Sequence, residues 1–251
     1  MASTTETGNA KNVANFEDLI SFCAGYGATY NPSKASIKLA ALNTQLTAAR
    51  ASLTTVNSAL PAFNNATSAR ETAFEPLAKL ITRVTNATAA SGAVKGVVDD
   101  VKTIARKLQG RRATAKKVGE TTPTDPSNPT EPTEKTISAS QLSYDSRIEN
   151  LEKLNQQLAA ITLYAPNEAD LKVTALNALL TDLKAKNTAV VAATTPLSNA
   201  RINRNKTLYD STTGLVTTAA EVKMYVKSLF GASSPQYKQI SGIKFTKPKG
   251  F

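Results

Sequence analysis

Between Leu39 and Phe63 the apolar positions Leu39, Leu42, Leu46, Ala49, Leu53, Val56, Leu60 and Phe63 recur at alternating spacings of three and four. The same beat returns at Val173, Leu176, Leu180, Leu183, Asn187, Val190, Thr194 and Leu197, with Asn187 and Thr194 standing where the first stretch has Leu53 and Leu60. An apolar period of 3.5 residues held for more than three heptads predicts long helices packed at a shallow left-handed crossing. Polar residues on such a seam lower stability or fix register. Pro32 and Pro166 are expected in the first turns of these helices, and Thr195-Pro196 reads as a cap followed by proline at N1.

Shorter helical faces flank the long ones. Phe74, Leu77, Ile81 and Val84, then Val94, Val97, Val101, Ile104 and Leu108, form a return in the first half; Leu208, Leu215, Ala219, Val222, Val226 and Leu229 form one in the second. Gly110 and Gly231 follow the last apolar positions, as glycines just past a helix C-terminus should. Preceding helices are read from Ile148, Leu151, Leu154, Leu158 and Ile161, and more faintly from Phe16, Leu19 and Phe22, with Gly25-Tyr26-Gly27 ending the latter. Only Ile240 to Phe245 alternates enough to suggest a strand. The expected fold class is all-α.

The two halves also match residue for residue. At an offset of 134, Tyr30, Pro32, Ala35, Lys38, Leu42, Asn43, Leu46 and Thr47 fall on Tyr164, Pro166, Ala169, Lys172, Leu176, Asn177, Leu180 and Thr181. At an offset of 121, Val101, Lys102, Leu108 and Gly110 fall on Val222, Lys223, Leu229 and Gly231. The pattern predicts a tandem duplication of a three-helix unit forming an elongated bundle, each copy closing its own core or both sharing one about a pseudo-twofold axis. The change of offset puts thirteen extra residues in the first copy between Phe74 and Val94. Thirteen helical residues would leave a face about 220° out of phase, so a break is expected at Ser91-Gly92 and a kink or restart at Pro76. The resulting domains are a flexible N-terminus (1–13), repeat 1 (14–118), a Pro/Thr-rich linker (119–138) whose four prolines forbid helix, repeat 2 (139–231) and a C-terminal tail (232–251).

Composition narrows the chemistry. The 251 residues include no His and one Cys, which excludes imidazole bases, Ser-His or Cys-His pairs, thiolate zinc cages and intramolecular disulfides. Asp99-Asp100 diverge by about 100° on a helix, and Glu149 with Glu152 is an ordinary i,i+3 pair. Cys23 reads as a small buried apolar residue. No phosphate loop or dinucleotide fingerprint is present. The reading is a non-enzymatic protein with no catalytic, cofactor-binding or metal residues and no cofactor. The N-terminus shows no secretory pattern, and apolar runs are too short to span a membrane, so the cytoplasm is the default compartment.

Charge is concentrated. Residues 111–118 carry four basic and no acidic groups, and so do residues 232–251, so two short segments hold eight of the eleven net positive charges. Arg111, Arg112, Lys116 and Lys117 in the first, continuing from Arg106 and Lys107 just before it, with Lys244, Lys247 and Lys249 in the second, are candidate contacts for nucleic acid or another acidic surface. Cations also complement helix C-termini and keep a chain soluble.

The tail is too apolar for a mere solubility device. Tyr237, Ile240, Ile243 and Phe245 are expected to dock on the bundle or on another subunit, making self-assembly into a homo-oligomer or filament the favoured partnership. With the repeat, the ending Gly-Ala-Ser-Ser-Pro-Gln-Tyr-Lys-Gln resembles that of uncharacterised bacterial helical proteins. The resemblance implies a bacterial source and carries no activity or site residues. The functional expectation is a structural or scaffolding protein, with polyanion binding through the basic segments as the alternative.

Overall fold

The computed structural model describes residues 8–111 and 142–248. Arg112, Lys116, Lys117, Lys249 and the proline-rich linker lie outside the described residues. Among the described residues eight α-helices account for the regular structure: α1 (Asn9–Gly25), α2 (Leu39–Phe74), α3 (Leu77–Ala90), α4 (Lys95–Leu108), α5 (Tyr144–Ala159), α6 (Val173–Tyr209), α7 (Leu215–Phe230) and α8 (Pro235–Ser241), with three short 3₁₀ turns. The all-α class holds, and no strand occurs among the described residues.

The long helices follow the heptad pattern. Their 36 and 37 residues correspond to about 54–56 Å each. Helix α2 is rich in Ser and Thr, whose hydroxyls otherwise compete with helical hydrogen bonding. They are satisfied internally instead: Thr44, Thr47, Thr54, Thr55 and Ser58 each donate to the carbonyl four residues back, at 2.9–3.1 Å.

Three local expectations are corrected. Pro32 and Pro166 precede the long helices by several residues, which begin at Leu39 and Val173 after 3₁₀ turns at Ala35–Ile37 and Ala169–Leu171. Pro196 does not start a helix; α6 runs through it, as α2 runs through Pro61. An interior proline costs about 3 kcal/mol. It is offset here by a small core in which Val56, Leu197 and Ala200 are buried and Leu60 and Phe63 pack around them. Third, residues 240–245 form no strand: the segment is the end of α8 followed by an irregular stretch.

The break at Ser91-Gly92 and the restart at Pro76 are both present, because α3 ends at Ala90 and begins directly after Pro76. Helix α3 lies within the stretch from Phe74 to Val94 where a break was expected, and the first half has four helices rather than three.

The described chain forms two compact units, Met1–Asn65 with Ala192–Phe251, and Ala66–Val191. The division falls inside α2 and inside α6. Each unit thus draws helices from both halves of the sequence. In unit 1 the core comprises Phe16, Leu19, Cys23, Leu42 and Ala49 together with Leu208, Leu215, Val222, Val226 and Ile240. In unit 2 it comprises Phe74, Ile81, Val84, Val101 and Leu108 together with Leu151, Leu154, Leu158, Leu176 and Leu183. Complete burial of each such Val, Leu, Ile or Phe side chain is worth about 1.5–3 kcal/mol relative to exposure, so neither half could give up its contribution cheaply.

The loops leading into the two long helices are built alike. Buried Tyr30 donates its hydroxyl to the Ile37 carbonyl at 2.7 Å, and buried Tyr164 donates to the Leu171 carbonyl at 2.8 Å. The seam polar residue Asn187 is fully employed in unit 2: its Oδ1 accepts from Arg70 Nη1 at 3.0 Å and its Nδ2 donates to Asp145 at 2.7 Å. Both ends of its amide are therefore paired rather than left unsatisfied.

Candidate docking groove and basic segments

Helix α7 ends at Gly231, whose φ of 90° and ψ of 156° lie in a region that essentially only glycine occupies. The chain reverses there. Ser234 then caps α8 by accepting from the Tyr237 N–H at 3.1 Å, with Pro235 in the first turn, where its missing N–H costs nothing. This short helix carries Ile240 into the unit 1 core at 0% exposure, and Tyr237, Ile243 and Phe245 pack against the same core. All four residues expected to dock are thus brought together on the chain's own unit.

The polar half of the groove comes from residues the sequence reading did not single out. Asn12 clamps one residue of the tail at two points: its Nδ2 donates to the Thr246 carbonyl at 2.8 Å, and its Oδ1 accepts from the Thr246 N–H at 3.0 Å. One turn further along α1, Asn15 donates to the Lys244 carbonyl at 2.6 Å. Tyr26 donates to the Gln236 carbonyl at 2.9 Å. From α7, the Lys223 ammonium donates to the carbonyls of Ser241 and Ile243, where the exposed oxygens of a helix C-terminus favour a cation. Partial burial lowers the Lys223 pKa from its ordinary value. The i,i+3,i+6 spacing of Asn9, Asn12 and Asn15 was the available signal. Asn9 completes the row by accepting from the Tyr209 hydroxyl at 2.5 Å.

The contacts that Asn12, Asn15, Tyr26 and Lys223 make with Thr246, Lys244, Gln236, Ser241 and Ile243 are to main-chain groups.

The basic candidates divide between the units. Arg106 and Lys107 occupy the last turn of α4 in unit 2, with Arg111 just beyond. Lys102, Arg106 and Arg111 line an open groove of about 270 Å³ between α3 and α4, along with Thr85, Asn86 and Gln109. Gln109 ties its two walls by donating to Thr82 Oγ1 at 2.9 Å. Lys244 and Lys247 belong to unit 1, both exposed, with the main chain of Lys244 held by Asn15.

Among the described residues no group of three His, Cys, Asp or Glu side chains could hold a metal ion. Asp99 forms ion pairs with Lys95 at 2.5 Å and Lys102 at 3.9 Å, and the Lys95 hydrogen bond holds its carboxyl below the usual range. Burial pushes the Cys23 thiol up to about 12, so it stays protonated at neutral pH and is a poor nucleophile. No described helix is long and apolar enough to cross a membrane. No protein family, curated protein or solved structure matches the chain.

Proposed function

We propose that the chain is a non-enzymatic, self-assembling scaffold protein, descended from a tandem duplication whose halves now complete each other's cores. The observation that carries this reading is where the inward polar groups go. Asn12, Asn15, Tyr26, Tyr30, Tyr164 and Lys223 all bind main-chain groups of their own unit. Polar chemistry spent on holding backbone suits a building element better than a reaction site. The duplication is supported by the matching tyrosine pins, by the 3₁₀ turns at corresponding positions and by the long helices that follow them. Sedimentation equilibrium and electron microscopy of the full-length protein test the assembly: species above the monomer should grow with concentration. A monomer persisting at every concentration would overturn it.

A second reading is favoured by the α3–α4 groove, where three cations sit beside neutral hydrogen-bonding side chains. Here the partner would be a nucleic acid or another polyanion. Fluorescence anisotropy with a labelled single-stranded oligonucleotide should show affinity falling linearly in log salt, with a slope of about −0.7 per phosphate contacted. Absence of binding at low ionic strength would end this alternative.

A further inference from the structure

We propose that the tail is exchanged between copies: the groove formed by Asn12, Asn15 and Lys223 accepts residues 234–248 of a second copy of this chain. The inference rests on the scaffold reading and supplies a mode for its assembly. It is carried by three observations about how the tail is attached.

The tail's grip is independent of which chain supplies it. Asn12 and Asn15 bind the main chain of Thr246 and Lys244, and Lys223 binds the carbonyls of Ser241 and Ile243. Ile240, Ile243 and Phe245 supply the apolar half. A second copy presents the same groups in the same order, so exchange preserves these bonds.

The connection is short and exposed. Only Gly231, Ala232 and Ser233 join α7 to the capped start of α8, and all three are exposed. They carry a tight turn in which the Ser234 N–H and hydroxyl both meet the Gly231 carbonyl, at 3.3 and 2.7 Å. A short hinge of this kind is where swapping concentrates.

Docking within one chain depends on a single backbone conformation. Gly231 reverses the chain at φ 90° and ψ 156°, and an added Cβ there would meet no neighbouring atom within 4 Å. Replacing it with alanine therefore introduces no clash with the surrounding structure and acts only on the backbone. That penalty falls on the reversed, self-docked form and is relieved when the hinge straightens to reach a neighbour. Reciprocal exchange closes a dimer, whereas one-way passing of tails builds an open chain of copies.

The test uses full-length protein and two cysteine variants, Asn9→Cys and Lys247→Cys, whose positions line the same hollow beside Tyr209. Buried Cys23 does not compete. The two variants are mixed, unfolded, refolded together at concentrations approaching the millimolar effective concentration of a short tether, and treated with a short bismaleimide. Linked pairs of one Asn9→Cys chain with one Lys247→Cys chain are expected. Adding Gly231→Ala to both should raise their yield about tenfold, the size of effect expected from confining a non-glycine residue to this region. A chain carrying both cysteines, treated when dilute, should link to itself and so report that the labels are in reach.

Self-linking of the double variant without linked pairs in the mixture, with or without Gly231→Ala, would overturn exchange. Absence of both kinds of link would overturn the docked tail itself. Either result leaves the sedimentation measurement to decide whether the protein assembles through another surface.

Discussion

The two units solve one packing problem with different pieces of chain. In unit 2 the extra layer is α3, an internal helix that packs on α4 and buries Leu77, Ile81, Val84 and Thr88. In unit 1 the extra layer is α8 with the stretch after it, a segment near the end of the chain that packs on α7 and buries only Ile240 fully. With four buried residues, α3 can be kept in place by apolar burial. A segment that buries only one residue fully opens by local unfolding unless further contacts oppose this. The clamps from Asn12, Asn15 and Lys223 are those contacts. Polar pinning of the tail and its capacity to dock elsewhere are two sides of one arrangement.

The largest test of this contrast is a pair of truncations at fully buried isoleucines. Ile81→Ala in α3 should lower global stability by about 2–5 kcal/mol, because the cavity cannot be relieved without unfolding unit 2. Ile240→Ala removes an equally buried side chain, yet its loss should be capped at the docking energy of the tail. Chemical denaturation should therefore register a much smaller change, while hydrogen exchange shows the Thr246 amide losing protection. Equal global losses would show that the tail is integral to the unit 1 fold and erase the distinction.

A smaller effect probes where the units are alike. Tyr30→Phe and Tyr164→Phe each delete a buried hydrogen bond, at 2.7 and 2.8 Å, to a carbonyl seven residues away, and Tyr30→Phe also removes a weak bond with the Cys23 thiol. Each should cost about 1 kcal/mol, and the two costs should agree closely. Denaturant titrations of both variants measure this; a marked inequality would show that the shared loop geometry hides different energetics.

The smallest effect concerns the turn between α6 and α7 in unit 1. Asp210 accepts from the backbone N–H groups and hydroxyls of Thr212 and Thr213 before α7 begins. These bonds hold its carboxyl well below the usual range. Because the folded pKa is depressed, the stabilisation is complete above the unfolded value of about 3.9 and is lost as pH falls toward the folded one. The stability difference between wild type and Asp210→Asn should thus be constant near neutral pH and shrink on acidification below about pH 4. A difference that widens in acid would refute the assignment.

Much of the architecture was legible. Heptad spacing located both long helices, Gly110 and Gly231 do take positive φ, at 67° and 90°, and the expected break at Ser91-Gly92 and restart at Pro76 bound α3. Proline rules misled at Pro196, because local propensity there is overridden by packing around Leu197 and Ala200. The apolar tail residues were recognisable as docking groups, whereas Asn12, Asn15 and Lys223 were not. An asparagine in an ordinary helix carries no mark of the main-chain group it will meet more than two hundred residues away.

What the sequence by itself determined was the class of element and its buried face, since apolar periodicity dictates which stripe of a helix must leave water. The partners were decided only in three dimensions. Residues Leu39 and Phe74 belong to one helix yet to different units, and the α1 face built by Phe16 and Leu19 closes on Val222 and Val226 of α7. Hydrophobic burial is non-directional and insensitive to sequence separation. A periodic face therefore states that it needs a cover, and the tertiary structure settles whether a neighbouring helix, the other half of the chain or the returning tail provides it.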